Sequence, residues 1–280
     1  MTFDVRVSDS PVDFVERAGS WLERREDHHN LLLGLMSSRL ESQTWRAGDF
    51  FATVESSDEV VGCVVRTPPH KALLTDLPVA AAPSVAAALS DRFEAIPAAF
   101  GPQASAGAVA AAWARLRGVR YVVGMPQGLY RLDRVIPARG VSGSMRRGTE
   151  ADVDRTVRWG EGFTGDTGIG FPPGVDSVRR WLDRNALFFW ECDDEPVTMA
   201  VAHGRTRRGV RIGYVYTPPE RRGNGYASAL VADLSQAMLD AGCDFCVLYT
   251  DLTNPVSNAI YRRIGYDLIA ELSDFDFEFE

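Results

Sequence analysis

A glycine-containing loop between a predicted strand and a predicted helix is the part of this sequence best suited to chemistry. The β-branched and aromatic run at 212–216 predicts a short strand, which the prolines at 218 and 219 end because proline offers no N–H to a ladder. From Tyr226 onward, apolar residues recur at spacings of three and four, which predicts an amphipathic helix. Glycines in the loop let a ligand approach the main chain, and the free N–H groups of the helix's first turn favour an anion. Residues 211–241 therefore predict a phosphate-binding strand, loop and helix.

Three kinds of phosphate-binding loop differ in spacing, and one of them fits. The GxxxxGK[ST] pattern is absent because no Lys-Ser or Lys-Thr follows Gly225. A GxGxxG pattern that used Gly223 and Gly225 would need its third glycine where the chain has Ser228. The spacing Arg222-x-x-Gly225-x-Ala227 instead resembles the (Arg/Gln)-x-x-Gly-x-(Gly/Ala) signature of the GNAT superfamily of N-acetyltransferases. In that family, the amides of this loop hold the pyrophosphate of acetyl-coenzyme A (acetyl-CoA).

A second motif follows at the distance that the same family uses. Residues 245–250 predict another buried strand, and Asn254 and Pro255 predict the N-cap and first position of a short helix. The segment is similar to the GNAT pattern Asn-x-x-(Ser/Ala)-x-x-x-Tyr-x-x-x-Gly-(Phe/Tyr), with matching residues at Asn254, Ser257, Tyr261, Gly265 and Tyr266. The resemblance covers roughly residues 143–280, about half of the chain.

The resemblance implies direct transfer of an acetyl or related acyl group from acetyl-CoA to an amine within a ternary complex. It implies that the main chain at Val215, Tyr216 and Thr217 pairs with the pantetheine arm, and that the Val215 N–H stabilises the oxyanion. For the pyrophosphate it implies Arg222, Gly223, Asn224, Gly225, Tyr226, Ala227 and Ser228. Asn254 and Asn258 are further candidate contacts to the pantetheine or the adenosine, with helix capping and a place on the helix surface as the alternative roles.

Acid and base candidates follow from the same resemblance. Tyr261 occupies the position of the family's thiolate-protonating tyrosine, so we expect it to be the general acid. A phenol with a pKa of about 10 is suited to protonating a thiolate whose pKa is about 8.5 or somewhat higher. The alternative is an aromatic side chain on a buried helix face. Glu161, Glu191 and His203 are the candidate bases, and a water relay to the main chain would make none of them essential.

Length, charge and composition limit the number of domains and exclude some classes of function. A chain of 280 residues predicts about two domains. The formal net charge of -8 and the isoelectric point near 5.1 argue against a general binder of nucleic acid or anionic membranes. Neither a long apolar run nor an export signal occurs, so we expect a cytoplasmic protein. Its expected partner is a small-molecule amine, and a homodimer stays open.

No metal is expected. Cys243 and Cys246 form a CxxC pair, but a structural zinc site needs a second pair, and neither Cys63 nor Cys192 belongs to one. A thioredoxin-like CxxC opens a helix, whereas this one leads into a strand. Buried core cysteines are therefore the favoured interpretation.

The first half predicts a lobe with a similar order of elements and without the phosphate loop. Residues 11–40 predict two helices, 50–65 predict a β-hairpin, and 121–132 predict a pair of strands. At 77–83, where the second half has its loop, the sequence LPVAAAP contains neither glycine nor a basic residue. We expect residues 1–135 to be a degenerate GNAT-like lobe without cofactor binding; an unrelated α+β lobe is the alternative.

Residues 143–280 are expected to form the GNAT acetyltransferase domain. Thr149 is the predicted N-cap of a helix that runs to residue 163, and 164–174 are a predicted flexible connection of the kind that covers the acceptor site in GNAT proteins. Residues 274–280 alternate strictly and predict a last strand with its phenylalanines inward. The expected fold is α/β, with two GNAT-like lobes that each contain a mixed, mostly antiparallel sheet flanked by helices. A coenzyme A-binding sensor without turnover and a protein N-acetyltransferase are the functional alternatives.

Overall fold

The helices and strands follow one order twice along the chain in the computed structural model, which describes residues 2–42, 48–168 and 171–279. The first pass is β1 (Asp4–Val7), α1 (Pro11–Glu23), α2 (Glu26–Ser42), β2 (Phe50–Ser56), β3 (Glu59–Arg66), β4 (Ala72–Leu74), α3 (Ala82–Arg92), β5 (Ala98–Pro102), α4 (Gln103–Arg117) and β6 (Arg120–Leu132). The second pass is β7 (Ser144–Arg147), α5 (Val153–Thr167), α6 (Val175–Asp183), β8 (Leu187–Cys192), β9 (Glu195–His203), β10 (Gly209–Tyr216), α7 (Tyr226–Asp240), β11 (Phe245–Asp251), α8 (Pro255–Arg263) and β12 (Asp267–Glu278).

These elements group into two compact units. Unit 1 contains Met1–Leu129, Thr250–Thr253 and Leu268–Glu280, and unit 2 contains Tyr130–Tyr249 and Asn254–Asp267. None of the helices among the described residues is long and apolar enough to cross a membrane.

Unit 1 is built on strands in the order β1-β2-β3-β4-β5-β12. The pairing of β4 with β5 is parallel, and the pairings of β1–β2, β2–β3, β3–β4 and β5–β12 are antiparallel. One apolar cluster joins the sheet to α3 and α4, with Trp113 fully buried, and another joins it to α1 and α2 around Phe14 and Phe51. Helices therefore cover the sheet through two separate cores.

Unit 2 repeats this arrangement with strands in the order β11-β10-β9-β8-β7. The pairing of β10 with β11 is parallel, and the other neighbours pair antiparallel. Val153 of α5 and Val178 of α6 pack with strand residues such as Phe189 and Val201. Thr149 forms a capping box with Asp152 at a short 3-10 turn (Glu150–Asp152) that leads directly into α5, so the predicted N-cap lies one turn before the α-helix itself.

The structure differs from the sequence-based expectation in three places. Residues 268–280 pack in unit 1 because β12 pairs with β5, whereas they were expected in the second domain. Residues 120–132 form one strand instead of two, and within it Gly124 lies so close to Asp276 of β12 that no room is left for a side chain. α5 continues to Thr167, one turn beyond the predicted end, and stops at Gly168 in the left-handed conformation.

The alternating C-terminal segment is a strand with Phe275 and Phe277 inward as predicted, whereas Phe279 follows the end of β12 and is exposed. Phe275 and Phe277 are buried, and the ring centroid of Phe277 lies 6.0 Å from that of Trp113. Alternation identifies the inward face of a strand, but it carries no information about which sheet the strand joins.

Candidate functional site

β10 separates from β11 towards its C-terminal end and forms a bulge against β9. Its parallel register with β11 runs from Gly209 to Arg211 and includes no later residue of this fully described segment. On the other side, the register with β9 shifts between Gly213 and Tyr216, and Tyr214 adopts a φ of +49°. A bulge of this kind bends a strand and locally disrupts the ladder. The main chain after Tyr214 is therefore available on the β11 side.

The end of β10 is fixed by a hydroxyl of β9. Thr198 Oγ1 donates to the carbonyl of Tyr216 at 2.8 Å, and Thr217 Oγ1 donates to Thr198 Oγ1 at 2.8 Å. Across the sheet, Gly162 of α5 lies so close to Tyr216 that an added Cβ would come within 2.7 Å of the phenol carbon. These contacts hold β10 in its bent path.

The predicted glycine loop connects β10 to α7 with two residues in the left-handed region. Gly223 has a φ of +84° and Gly225 a φ of +79°, a conformation that other residues rarely adopt. Asn224 Nδ2 closes the loop by donating to the carbonyls of Arg221 and Arg222, at 3.0 and 3.2 Å. Gly225 is the N-cap of α7, and no side chain caps this helix end. The amides of the first turn are thus presented to the space in front of the loop.

This space is a cavity of about 720 Å³ within unit 2. Its lining contains Tyr261 and all the predicted cofactor ligands except Asn258, together with residues that had not been predicted. The full lining is Phe163, Asp166, Thr167, Val215, Tyr216, Thr217, Arg221, Arg222, Gly223, Asn224, Gly225, Tyr226, Ala227, Ser228, Asn254, Val256, Ser257, Ile260, Tyr261 and Arg263.

The two asparagines of the second motif have different positions. Asn254 lines the cavity, and its Oδ1 also accepts from the N–H of Ser257 at 3.1 Å, so it is the N-cap of α8. Asn258 is buried, and its Oδ1 accepts a hydrogen bond from the hydroxyl of Tyr130 at 3.3 Å. The structure does not bring Asn258 to the cavity, because the second turn of α8 directs it inward.

Arg222 is held by two partners. Its Nε donates to the carbonyl of Thr217 at 2.9 Å, and its guanidinium forms an ion pair with Asp166 of α5. The guanidinium carbon lies 5.8 Å from the ring centroid of Tyr216. Asp166 was not predicted because residue 164 was expected to begin a flexible connection. Asp166 and Thr167 follow Phe163 at spacings of three and four residues, and this helical spacing could have indicated that they share its helix and its face.

Tyr261 lines the cavity as a half-buried side chain on α8. Burial raises the pKa of Tyr261 to about 12, because the charged phenolate loses solvation. Its ring packs edge-on against Tyr266, with centroids 6.1 Å apart. At neutral pH, Tyr261 therefore carries its proton beside the cavity.

The three candidate bases all lie outside the cavity lining. Glu161 is exposed on α5, and Glu191 forms an ion pair with Arg146. His203 is on β9, and its ring centroid is 6.0 Å from that of Tyr214. Burial and the charge of Arg211 lower the pKa of His203 well below its usual value, so its imidazole is neutral at physiological pH. Of the expected acid and bases, only the acid lies in the cavity.

The CxxC cysteines are core residues. Cys243 and Cys246 are both buried and neither forms a disulfide, and burial raises the pKa of Cys246 to about 12. A thiol in this state is a poor nucleophile and metal ligand. Among the described residues, no group of three or more His, Cys, Asp or Glu side chains is arranged to hold a metal ion.

Comparison with known proteins links this geometry to a family. A model of the acetyltransferase (GNAT) family matches residues 158–266. No curated protein matches the sequence. A GNAT-family acetyltransferase from Colwellia psychrerythraea has a similar structure, with 11% identity and a TM-score of 0.63 over 98% of this chain and 100% of that chain. A GCN5-related N-acetyltransferase from Sphaerobacter thermophilus shares 14% identity, with a TM-score of 0.65 over 98% and 94%. A tandem GNAT protein from the clavulanic acid biosynthesis pathway shares 11% identity, with a TM-score of 0.56 over 99% and 98%.

At these identities, the solved structures show the fold alone. Their coverage of the whole chain supports two lobes and confirms the expected fold class, a mixed and mostly antiparallel sheet flanked by helices. The loss of cofactor binding in the first lobe stays a prediction. The match to the family model lies in the second lobe, and it includes β10, the glycine loop, α7 and α8. Residues 158–266 of this chain form an acetyltransferase domain of the GNAT family.

Proposed function

We propose that unit 2 is an N-acetyltransferase that binds acetyl-CoA in the cavity beside α7 and passes an acetyl group to an amine within a ternary complex. The family supports acyl transfer in general. One observation carries the finer proposal: the uncapped N-terminus of α7, the open edge of β10 and Tyr261 all face the same cavity.

The lining residues have the chemistry that coenzyme A requires. The helix N-terminus favours a pyrophosphate, and side-chain-free glycines leave room for the phosphates to reach the amides. Arg221, Arg222 and Arg263 add three guanidinium groups around the cavity. A volume of about 720 Å³ lies within the usual range for small-molecule sites, roughly 300–1,000 Å³. When bound, acetyl-CoA supplies an acetyl group activated as a thioester.

The chain's own residues would orient the thioester and protonate the departing thiolate. The main chain of Val215 and Thr217 offers strand-like hydrogen bonds on the side where β11 has separated, and the Val215 N–H is the proposed donor to the developing oxyanion. Tyr261 holds a proton for the departing sulfur, as a raised pKa keeps the phenol neutral. Since no predicted base lines the cavity, we assign deprotonation of the amine to a water relay, the alternative that needs none of Glu161, Glu191 and His203.

Turnover is the test of this proposal. The full chain is incubated with acetyl-CoA and a panel of small amines, and thiol release is measured together with the mass of each acceptor. We expect an acetylated small amine, and loss of turnover in Gly223→Glu, which introduces bulk and negative charge at the phosphate loop. Gly242→Glu is the matched control, because both glycines have similar φ angles (+84° and +88°) and open space at the Cβ position.

The other outcomes separate the alternatives. Binding of acetyl-CoA without any acetylated product would contradict the enzyme and favour a sensor, and acetylation confined to protein acceptors would favour a protein N-acetyltransferase. The cytoplasmic location and the homodimer remain predictions alongside this one.

A further inference from the structure

A second group of polar side chains lies on the sheet of unit 2, outside the cavity lining. Arg211 of β10 and His203 of β9 are register partners, so their side chains leave the same face of the sheet. Tyr249 is two residues beyond Val247, the partner of Arg211 on β11, and shares this face too. All three side chains are half-buried, so part of each is open to solvent.

Aromatic side chains from three elements surround the adjoining bulge. The ring centroid of Tyr214 lies 4.8 Å from Trp181 of α6, 5.2 Å from Phe163 of α5 and 6.0 Å from His203. Tyr214 directly precedes Val215, and both Val215 and Phe163 line the cavity. The aromatic group and the cavity therefore meet at the bulge of β10.

The charge on this face is positive. A guanidinium stays protonated in proteins, whereas lost solvation and the charge of Arg211 hold the pKa of His203 well below its usual value, so its imidazole is neutral. The phenols of Tyr249 and Tyr214 neighbour Arg211, and burial raises the pKa of both, so they are uncharged at physiological pH. The guanidinium also lies over Gly204, where an added Cβ would be 3.0 Å from one of its nitrogens. A planar guanidinium beside phenol hydroxyls is suited to binding a carboxylate through paired hydrogen bonds.

We propose, on the basis of the acetyl transfer proposed above, that the acceptor is a small amine that also carries a carboxylate, with Arg211 as the partner of that carboxylate. Tyr214, Phe163 and Trp181 form the wall for the apolar part of the acceptor. Tyr214 is three positions after Arg211, about 10 Å along an extended strand. Since an arginine side chain covers much of this span, the carboxylate lies within a few bonds of the amine, as in α-, β- and γ-amino acids.

The test compares each amino acid of such a panel with its own amide, which keeps the amine and removes the negative charge. The value of kcat/KM is measured for the unmodified full chain, after acetyl-CoA has been shown to stabilise it against heat. We expect at least one acid to exceed its amide by about tenfold or more, as a charged hydrogen bond contributes on this scale. This comparison needs no variant, so it does not depend on the folding of one.

Variants then assign the preference to Arg211. Arg211→Gln should lower kcat/KM for the acid by about tenfold or more and leave the amide within about twofold, and Arg211→Lys should recover part of the loss. Arg205→Gln is the control for a lost arginine charge nearby in the chain, because Arg205 lies in the connection between β9 and β10 and is exposed. Three results would each overturn the inference. The chain could acetylate the amides as well as the acids, or it could be stabilised by acetyl-CoA and yet acetylate no acid, or the preference for the acid could persist in Arg211→Gln. Failure of acetyl-CoA to stabilise the unmodified chain would instead overturn the proposed function.

Discussion

Asp166 at the end of α5 forms an ion pair with Arg222 of the glycine loop, on the wall of the cavity. Both side chains are about half exposed, at 46% and 48%, and pairs of this kind contribute only about 0–1 kcal/mol. A phosphate at the loop would therefore compete with Asp166 for the guanidinium, and the carboxylate would repel it.

Removing the Asp166 charge should strengthen acetyl-CoA binding. We expect Asp166→Asn to lower the dissociation constant by about three- to tenfold, and Arg222→Gln to raise it by a similar factor. Asp154→Asn, an exposed position in the first turn of the same helix, is the control for a lost negative charge on α5. Titration calorimetry measures all of them. Weaker binding in Asp166→Asn would mean that the carboxylate is needed to position Arg222.

Tyr261 should govern proton transfer up to high pH. A phenol with an ordinary pKa would begin to lose its proton above about pH 9. Since burial raises the pKa of Tyr261 to about 12, the neutral form persists and kcat should show no falling limb from this group below about pH 11. Tyr261→Phe should lower kcat by about 100-fold or more, with little change in acetyl-CoA affinity. A kcat that is unchanged in Tyr261→Phe would remove Tyr261 from the catalytic role.

The raised pKa of Tyr261 also predicts a loss of stability in alkali. The folded chain favours the neutral phenol, so this contribution is complete below the unfolded pKa of about 10. It is lost as the pH rises towards the folded value of about 12. Denaturant unfolding at pH 8 and at pH 11 should therefore show a smaller alkaline loss in Tyr261→Phe than in the unmodified chain, and an equal loss would contradict the burial of the phenol.

Gly162 should be essential for the shape of the cavity wall. An added Cβ would overlap the hydroxyl of Tyr216 and lie 2.7 Å from its ring carbon, so Gly162→Ala must displace Tyr216 or α5. We expect acetyl-CoA affinity to fall several-fold. Gly165→Ala is the control on the same helix, where no atom lies within 4 Å of the added Cβ. Alanine should raise the free energy of unfolding there by up to about 1 kcal/mol, without an effect on binding. Equal binding by both variants would contradict the tight packing at Gly162.

Asn258 should contribute to stability and not to binding. Asn258→Ala leaves the hydroxyl of fully buried Tyr130 without this bond, which costs about 1–3 kcal/mol. Urea unfolding measures that cost, and Tyr130→Phe combined with Asn258→Ala should be non-additive because both changes remove the same bond. A marked loss of acetyl-CoA affinity in well-folded Asn258→Ala would restore Asn258 as a cofactor ligand.

The glycine loop could be predicted because its residues meet local backbone requirements. The features that were missed depend on contacts between residues that are distant in the sequence. The glycines before α7 and the Asn-Pro pair at Asn254 report backbone requirements within a few residues, so they are visible in sequence. The approach of Asp166 to Arg222 depends on how α5 packs across β10, which no local pattern records. The inward rotation of Asn258 likewise depends on its partner Tyr130, which is 128 residues away in the chain.

The central claim is that phosphate binds at the N-terminus of α7, and acetyl-CoA-dependent thermal stabilisation tests it most directly. At about 100 times the dissociation constant, the ligand should add about 2.7 kcal/mol to the free energy of unfolding. The account predicts this shift in the unmodified chain and in Gly242→Glu, and its loss in Gly223→Glu. No shift in the unmodified chain, or an equal shift in Gly223→Glu, would contradict it.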